Sequence, residues 1–295
     1  MARRPPLPIR MSTSPDAQPA RYFAVLYSEG PQRATLEALL EIEAEIRQSL
    51  RTGMDHQVAH ARLQWWREEC ERAAQGKPVH PLTVRLVDTF GHTTRAAALE
   101  PSQPAGIASL AGLTGFVDTA IWDLAHATFE SRRELTAYCQ RWAAAMIVPL
   151  AAIAGVTSLD SSALGSALRE LEMLPELSRE AHSGRLRIPL DELTAADTPP
   201  ESVAATPWRR SMADLVRTRH QTLRAQISRL TRLPDGEQLV LRGLLVWVAI
   251  ACRRSRLAQR ALPDVPGPGA YGFATAWSAW RAARKATTGS FELRS

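Results

Sequence analysis

Apolar residues recur at the spacing of an α-helix along most of the chain, and this pattern limits the fold more than any other feature. For example, Leu36, Leu39 and Ile46 share one side of a helix. Glu37 and Glu41 lie on the opposite side. Such spacing sets an apolar stripe against a core and leaves the charges in water. No segment alternates polar and apolar residues between turns, as strands do. The sequence therefore predicts an all-α fold.

The same spacing predicts further helices, separated by segments rich in glycine and proline. They cover residues 56–75, 82–90, 106–124, 134–154, 161–179, 211–233 and 237–260, with a short last helix around Trp277 and Trp280. We interpret residues 1–20 as a flexible N-terminal tail, 21–285 as one helical domain and 286–295 as a C-terminal tail. Apolar residues make up 45% of the chain, which is enough for a shared core in a helical bundle of this size.

Charge and cysteine usage narrow the class of protein. The 36 Lys and Arg residues exceed the 30 Asp and Glu residues, giving a net charge of +6. Arg and Glu alternate along most segments, however, whereas a nucleic-acid binder concentrates its positive charge on one surface, so we expect no nucleic acid. The three cysteines are far apart, which excludes a zinc ribbon or a disulfide framework and predicts a reducing cytosol. They are Cys70, Cys139 and Cys252.

No targeting or membrane-spanning segment is expected from the sequence. Residues 1–20 lack the apolar run of a signal peptide. The longest apolar stretch, residues 142–156, contains Pro149 and is shorter than the roughly 20 residues needed to cross a bilayer. We therefore expect a cytoplasmic protein, with peripheral contact to the inner membrane face as a further expectation.

Motifs of several common enzyme classes are absent. There is no GxxxxGK loop followed by Ser or Thr, and no strand-led GxGxxG. His56 and His60 have the spacing of a zinc-protease helix, but Gln57 stands where the general-base Glu should be. An amide cannot take a proton from water. No GxSxG elbow occurs either. Hydrolase chemistry by these routes is not expected.

Two aspartates, Asp118 and Asp123, lie in the otherwise apolar segment 116–124. A carboxylate in such surroundings is costly to bury unless an arginine, a capping amide or a metal ion satisfies it. A metal-binding role is therefore one hypothesis. Pairing with arginine, or exposure to solvent, is the alternative.

Three glutamates, Glu172, Glu176 and Glu180, share one helix face if the helix continues past Pro175. Like charges stacked in this way are destabilising unless a cation lies opposite them. That cation is either a bound metal ion or arginines such as Arg169.

Residues 62–69 place two Trp and two Arg within two turns. The planar guanidinium groups of Arg62 and Arg67 are suited to bidentate binding of phosphate. Alternatively, the Trp pair belongs to the core and the arginines form ion pairs along the helix. Acidic helices and arginines around an apolar interior could together hold Mg²⁺ and a diphosphate with a hydrocarbon tail.

At these residues the chain resembles the squalene/phytoene synthase family, from Arg21 to about Leu193. Residues 62–69 (RLQWWREE) and 76–81 (GKPVHP) are similar to that family's RLQWWR…G.P.HP signature. Residues 116–124, followed by Leu135 and Tyr138, resemble a second family segment. Residues 184–193 (GRLRIPLDEL) resemble its GR.YLP.DEL stretch.

The resemblance implies an all-helical fold of the class I prenyl synthase type. It also implies Mg²⁺-dependent head-to-head joining of two isoprenoid diphosphates, with the metal held by aspartate-rich motifs on two helices and a dry apolar cavity protecting the cation. On this basis the candidate metal ligands are Asp118, Asp123, Glu176 and Glu180. The candidate diphosphate contacts are Arg62 and Arg67, and the secondary candidates are Glu41, Glu45, Glu172 and Arg185.

The chain also departs from the family pattern. The first aspartate-rich motif should fall near residues 38–47, where the acidic residues are Glu41, Glu43 and Glu45. The second aligns with Glu176 and Glu180, and the Gln and Asn that precede it in active synthases are here Arg169 and Glu172. These departures resemble a divergent branch of the family, which includes respiratory-complex assembly proteins with no established synthase activity.

Two functions follow from this resemblance, and whether the chain is an enzyme stays open. The first is a Mg²⁺-dependent prenyltransferase of isoprenoid biosynthesis that acts on isoprenoid diphosphates. The alternative is a non-catalytic relative that binds an isoprenoid lipid or assists assembly of a respiratory membrane complex.

Near the C-terminus, Trp277 and Trp280 with neighbouring basic residues could form an interfacial helix. The preferred interpretation is that they pack the C-terminus onto the core. The basic residues are Arg281, Arg284 and Lys285.

Overall fold

The computed structural model describes residues 19–51, 53–97, 106–265 and 272–293, which contain α-helices and short 3₁₀ segments but no strand. The predicted all-α class is therefore confirmed. The helices are α1 (Pro19–Tyr27), α2 (Gly30–Arg47), α3 (His56–Ala74), α4 (Pro81–Ala97), α5 (Thr114–Leu124), α6 (Arg132–Ile153), α7 (Ser161–Met173), α8 (Leu177–His182), α9 (Leu190–Ala195), α10 (Arg210–Leu230), α11 (Asp235–Val240), α12 (Arg242–Ala261) and α13 (Phe273–Thr287).

Local sequence signals explain where several helices begin and end. The Asp55 side chain caps α3 by accepting hydrogen bonds from the backbone N–H groups of Gln57 and Val58, at 2.8 and 3.2 Å. Helix α3 ends before Gly76, whose φ of 73° suits a residue without a Cβ. Asp160 caps α7 in the same way, at 2.9 Å from the N–H of Ala163.

Two predicted helices are interrupted. Residues 107–113 form a 3₁₀ segment before α5 begins. Helix α7 ends at Met173, and a 3₁₀ turn containing Pro175 separates it from α8, because proline has no N–H to continue the helix. The condition under which Glu172, Glu176 and Glu180 would share one helix face, continuation of the helix past Pro175, is therefore not met.

Helices α6 and α7 lie together at the centre of the bundle, and α2, α5, α10 and α12 pack around them. The middle of α6 is buried on most sides, as are residues 243–248 of α12. One hydrophobic core extends from α1 to Phe291, whose N–H donates to the Gln238 Oε1 at 2.8 Å. Side chains on α2, α6, α7 and α12 therefore meet in the middle of the molecule.

Helix α5 lies very close to α6. A Cβ atom on Gly115 would overlap the carbonyl oxygen of Arg141, and one on Gly112 would lie 2.5 Å from that of Ala144.

Within the part of the chain described, residues 107–124 are long and apolar enough to cross a membrane by length and composition alone. The core helix of a soluble protein can pass the same test, and Leu113 is buried against α3 and α6 here.

Helix α13 contacts α12 through small side chains, while its aromatic residues are exposed. Trp277 is 48% exposed and Trp280 is 40% exposed. The preferred interpretation that these tryptophans pack the C-terminus onto the core is therefore wrong. Alanines such as Ala279 and Ala283 serve that purpose because they allow the two helices to approach closely.

Candidate functional site

A group of buried charged and aromatic residues lies where the central helices meet. We call it the central charged cluster. Its charged members are all buried or nearly so, which is costly unless each charge is paired and hydrogen-bonded. The cluster consists of Arg21 on α1, Glu43 on α2, Trp142 on α6, Arg169 and Glu172 on α7, and Trp247 on α12.

Both glutamates in the cluster have an arginine and an indole as partners. The Arg21 Nη1 atom lies 2.5 Å from the Glu43 Oε2 atom, and the Trp142 Nε1–H donates to Glu43 Oε1 at 3.0 Å. The Trp247 Nε1–H donates to Glu172 Oε1 at 2.6 Å. The second Arg21 nitrogen, Nη2, lies 3.7 Å from Glu172 Oε2. Arg21 thus bridges the two carboxylates.

The arginines also lie over the tryptophan rings. The Arg21 guanidinium carbon is 5.7 Å from the Trp142 ring centroid and 5.3 Å from that of Trp247. The Arg169 guanidinium carbon is 5.3 Å from the Trp142 centroid. Cation–π contacts of this length are stabilising when the groups are shielded from water. The two indole rings meet edge to face at 6.0 Å, so rings and guanidinium groups occupy the middle of the bundle.

The charges of the cluster set the ionisation of Glu43. Burial by itself raises the pKa of a carboxyl group, but Arg21, Arg47 and Arg169 outweigh that effect and lower the pKa of Glu43 to about 2. Burial by itself lowers the pKa of the Arg169 guanidinium, but nearby Tyr138 and Glu43 outweigh that effect and raise it. Glu43 and Arg169 are therefore both ionised near neutral pH.

A second group of residues adjoins the cluster and contains two of the predicted carboxylates. Arg187 bridges Asp123 on α5, at 2.7 Å, and Glu180 on α8, at 3.5 Å. The Tyr138 hydroxyl donates to Asp123 at 3.1 Å and accepts from Arg169 at 3.4 Å. Tyr138 and Arg169 thus link the two groups. Burial, together with Asp123, raises the pKa of Tyr138 and keeps its hydroxyl protonated.

The other two predicted metal ligands lie elsewhere. Asp118 is five residues before Asp123 and lies on a different side of α5. Its partner is Arg67, whose Nη2 is 2.5 Å from Asp118 Oδ1, so this predicted diphosphate contact is itself in an ion pair. Glu176 is paired with Arg254 on α12 and, at 2.7 Å, with Arg179. The structure therefore brings Asp123 and Glu180 together, but neither Asp118 nor Glu176 with them.

The remaining candidates are dispersed. Glu41 pairs with Arg85 at 2.7 Å on the surface, and Glu45 accepts from the Gln48 side chain at 2.8 Å. Arg62 is half-buried on α3. Of the secondary candidates, Glu172 belongs to the central charged cluster and Arg185 lies 3.4 Å from Glu180.

Of the four predicted carboxylate ligands, two converge, and both of these are paired with Arg187. Mg²⁺ requires near-octahedral oxygen ligands. Within the residues described, no three His, Cys, Asp or Glu side chains are grouped so that they could hold one metal ion. At the point where Asp123 and Glu180 converge, the positive charge comes from Arg187. All four predicted metal ligands are instead paired with arginine, which was the alternative interpretation of the sequence.

Sequence reasoning did not single out three members of the cluster: Arg21, Trp142 and Trp247. Tryptophans within apolar runs are typical core residues, so their position carried no functional signal. One feature of the sequence could have indicated the cluster. Arg169 and Glu172 each follow a leucine in a largely apolar helix, and charges in such surroundings need partners.

The helix arrangement defines the all-α class I prenyl synthase fold. The structure is similar to that of a dehydrosqualene synthase in complex with ligand (TM-score 0.69, 12% identity, 92% of this chain and 91% of that chain covered). It is also similar to squalene synthase HpnC from Alicyclobacillus acidocaldarius (TM-score 0.64, 16% identity, 83% and 89% covered). At these identities the likeness establishes the fold alone.

The squalene/phytoene synthase family model matches residues 15–280, so the chain belongs to the squalene/phytoene synthase family. The resemblance found in the sequence is thereby confirmed. No curated protein matches the chain by sequence.

Proposed function

We propose that this chain is a non-catalytic member of the squalene/phytoene synthase family. It keeps the fold but does not couple isoprenoid diphosphates, and it assists the assembly of a membrane complex from the cytoplasmic side. The observation that carries the non-catalytic part of this proposal is the central charged cluster, where arginine and tryptophan side chains occupy the middle of the bundle. The assembly role rests on the divergent family branch that the sequence resembles.

Among the residues that the structure describes, side chains fill the middle of the bundle around the cluster, which argues against a hydrocarbon chain bound there. Trp142 and Trp247 are 1% and 0% exposed. One cavity beside the cluster, lined by Glu172 and Arg254, measures about 20 Å³, and another, lined by Glu170 and Arg187, measures about 10 Å³. Such volumes hold about one water molecule, whereas sites for small-molecule ligands measure about 300–1,000 Å³. This filling also disfavours binding of an isoprenoid lipid at this place in the bundle.

Charge balance at the centre argues against binding of Mg²⁺ and diphosphate. The cluster contains two arginines and two glutamates, so its formal charges cancel. A site for a metal diphosphate needs carboxylates whose charge the metal itself neutralises. Arg169 and Glu172 stand where active synthases have Gln and Asn, so two departures from the family pattern supply half of the cluster's charges.

A Mg²⁺-dependent prenyltransferase is the second candidate. Family membership supports it, as does the convergence of Asp123 and Glu180 from two helices. In that case the two carboxylates would hold the metal, which would polarise the leaving diphosphate. This role requires Arg187 to leave its present position between them.

Diphosphate release separates the two candidates. Purified protein is incubated with Mg²⁺ and farnesyl or geranylgeranyl diphosphate, and released diphosphate is measured by a pyrophosphatase-coupled phosphate assay. We expect no release above that of a boiled sample. Release that is lost in Glu180→Ala, but kept in the exposed control Asp214→Ala, would establish the transferase. Tight retention of farnesol without turnover would instead establish lipid binding.

The assembly role has its own test in the source organism. Cells lacking the gene are expected to accumulate incompletely assembled respiratory complexes, resolved on native gels of their membranes. Wild-type protein and Glu180→Gln are expected to restore assembly equally, because no carboxylate chemistry is required. Normal complexes in the deletion strain would contradict the assembly role.

A further inference from the structure

Helix α13 exposes its large apolar residues and buries its small ones, the reverse of a helix that only packs on a core. Phe273 is 82% exposed, and its ring stacks near that of Trp277 at 6.3 Å. The Trp277 and Trp280 rings stack at 4.7 Å. Three adjoining aromatic rings in water form an apolar patch of the kind that marks an interaction surface.

Basic residues surround these rings. An open groove of about 230 Å³ runs between α12 and α13, and Trp277 forms part of its wall. Four cationic side chains line the groove against one acidic residue, Glu292. The four are Arg253, Arg256, Arg281 and Lys285. Beside the groove, the Arg284 guanidinium lies 5.5 Å from the Trp280 ring centroid. The patch therefore combines exposed aromatic area with a strong excess of positive charge.

We propose that this surface docks on the headgroup region of an anionic phospholipid bilayer. We call it the aromatic–basic surface and define it by Phe273, Trp277, Trp280, Arg253, Arg281 and Lys285. Tryptophan is suited to the interface because its ring is apolar while its N–H stays hydrated. Arginine and lysine beside the rings complement lipid phosphates, and each such residue near an anionic surface strengthens binding. Helix α13 would lie flat in the interface, held by its alanine face to the rest of the protein.

The charge of this surface favours an anionic bilayer over a second copy of this chain as the binding partner. A second copy of this chain would bring the same excess of positive charge to the contact, and the two surfaces would repel each other. An anionic bilayer provides a dense layer of phosphates and an apolar boundary at a fixed depth, which matches both parts of the surface. This inference does not depend on the proposed function, since docking on a membrane requires neither catalysis nor its absence.

Vesicle co-sedimentation tests the proposal. The full chain is mixed with phosphatidylcholine vesicles or with vesicles that also contain phosphatidylglycerol, without Mg²⁺ or isoprenoids. We expect binding to the anionic vesicles that weakens as NaCl is raised. Removing two cations in Arg281→Ala/Lys285→Ala should weaken it about thirtyfold. Removing two rings in Trp277→Ala/Trp280→Ala should weaken it about tenfold.

Matched controls lie on α3 and α4. Trp65→Ala removes another exposed tryptophan, and Arg85→Ala another exposed arginine. Both are expected to bind as the wild type does. Thermal unfolding of every variant checks that the fold is kept, and Trp277→Phe/Trp280→Phe, which keeps apolar rings, should retain most of the binding.

Three results would overturn the proposal. The first is equal binding to neutral and anionic vesicles, or binding that is unchanged in Arg281→Ala/Lys285→Ala. The second is displacement by millimolar sodium phosphate but not by NaCl of equal ionic strength, which would assign the groove to a free phosphate. The third is a dimer in sedimentation equilibrium that Trp277→Ala/Trp280→Ala abolishes, which would assign the surface to a second copy.

Discussion

Arg21 holds two carboxylates of the central charged cluster, so its replacement by methionine is the sharpest test of how the bundle is stabilised. Arg21→Met keeps most of the side-chain volume but leaves Glu43 and Glu172 with fewer cationic partners. Breaking a buried ion pair by removing one member costs about 3–5 kcal/mol. Because Glu43 keeps Arg47 at 3.4 Å, we expect the lower end, a loss of about 3 kcal/mol at pH 7.

Urea unfolding, followed by tryptophan fluorescence at several pH values, measures this loss. The folded pKa of Glu43, about 2, lies below its ordinary value of 4.5. The depressed pKa therefore contributes stability that is fully present above pH 4.5 and is lost as pH falls through 2. A difference of that size corresponds to about 3 kcal/mol. The acid-dependent loss should be smaller in Arg21→Met, because the cation that lowers the pKa most is gone.

A matched variant and a double variant complete the test. Arg33→Met removes an arginine from a half-exposed pair with Glu37 and should cost less than about 1 kcal/mol. Arg21→Met/Glu43→Gln removes both charges of the pair and should recover part of the loss of Arg21→Met. If Arg21→Met unfolds within 1 kcal/mol of the wild type, with the same dependence on pH, the cluster does not stabilise the bundle as argued.

Further predictions concern close packing and buried titratable groups. Gly115→Ala should destabilise the protein by about 1–3 kcal/mol in thermal unfolding, since its methyl group meets the Arg141 carbonyl oxygen. Gly236→Ala, where a Cβ meets nothing within 4 Å, should not destabilise it. Burial, with Arg224 beside it, lowers the pKa of His220 to about 4, so folding holds it neutral and stability falls as pH drops from 6.5 through 4. That part of the acid sensitivity should disappear in His220→Gln, and equal urea midpoint shifts between pH 7 and pH 5 in the two proteins would contradict it. Burial raises the pKa of all three cysteine thiols, so iodoacetamide at pH 8 should label them in urea but not in the folded protein, as read by mass spectrometry.

The buried arginines show how ion pairs within the chain can stabilise this family fold. Here Arg187 and Arg21 hold carboxylates in place within the folded chain itself. Internal ion pairs can stabilise the bundle without a ligand, so selection for a docking or assembly role could keep the fold without catalysis.

The sequence by itself determined the helices and the family. Spacing of apolar residues identifies which face of a helix is buried, because that depends only on the 3.6-residue period. Caps such as Asp55 and breakers such as Gly76 set the ends through local hydrogen bonds and backbone angles. The RLQWWR and GR.YLP.DEL motifs are short and local, so the resemblance could be recognised without any knowledge of contacts.

Only the tertiary structure decided which charged residues meet. Glu43 and Trp142 are 99 residues apart in sequence, and Glu172 and Trp247 are 75 apart. Periodicity states that a face is buried but not which other helix covers it, so neither pair could be read from the pattern. Helix α13 has an alanine face and a tryptophan face at the same spacing, and the packed structure buries the alanines while Trp277 and Trp280 stay exposed. Which residues contact each other is decided by the packed bundle, because it depends on distances between segments that are far apart in the sequence.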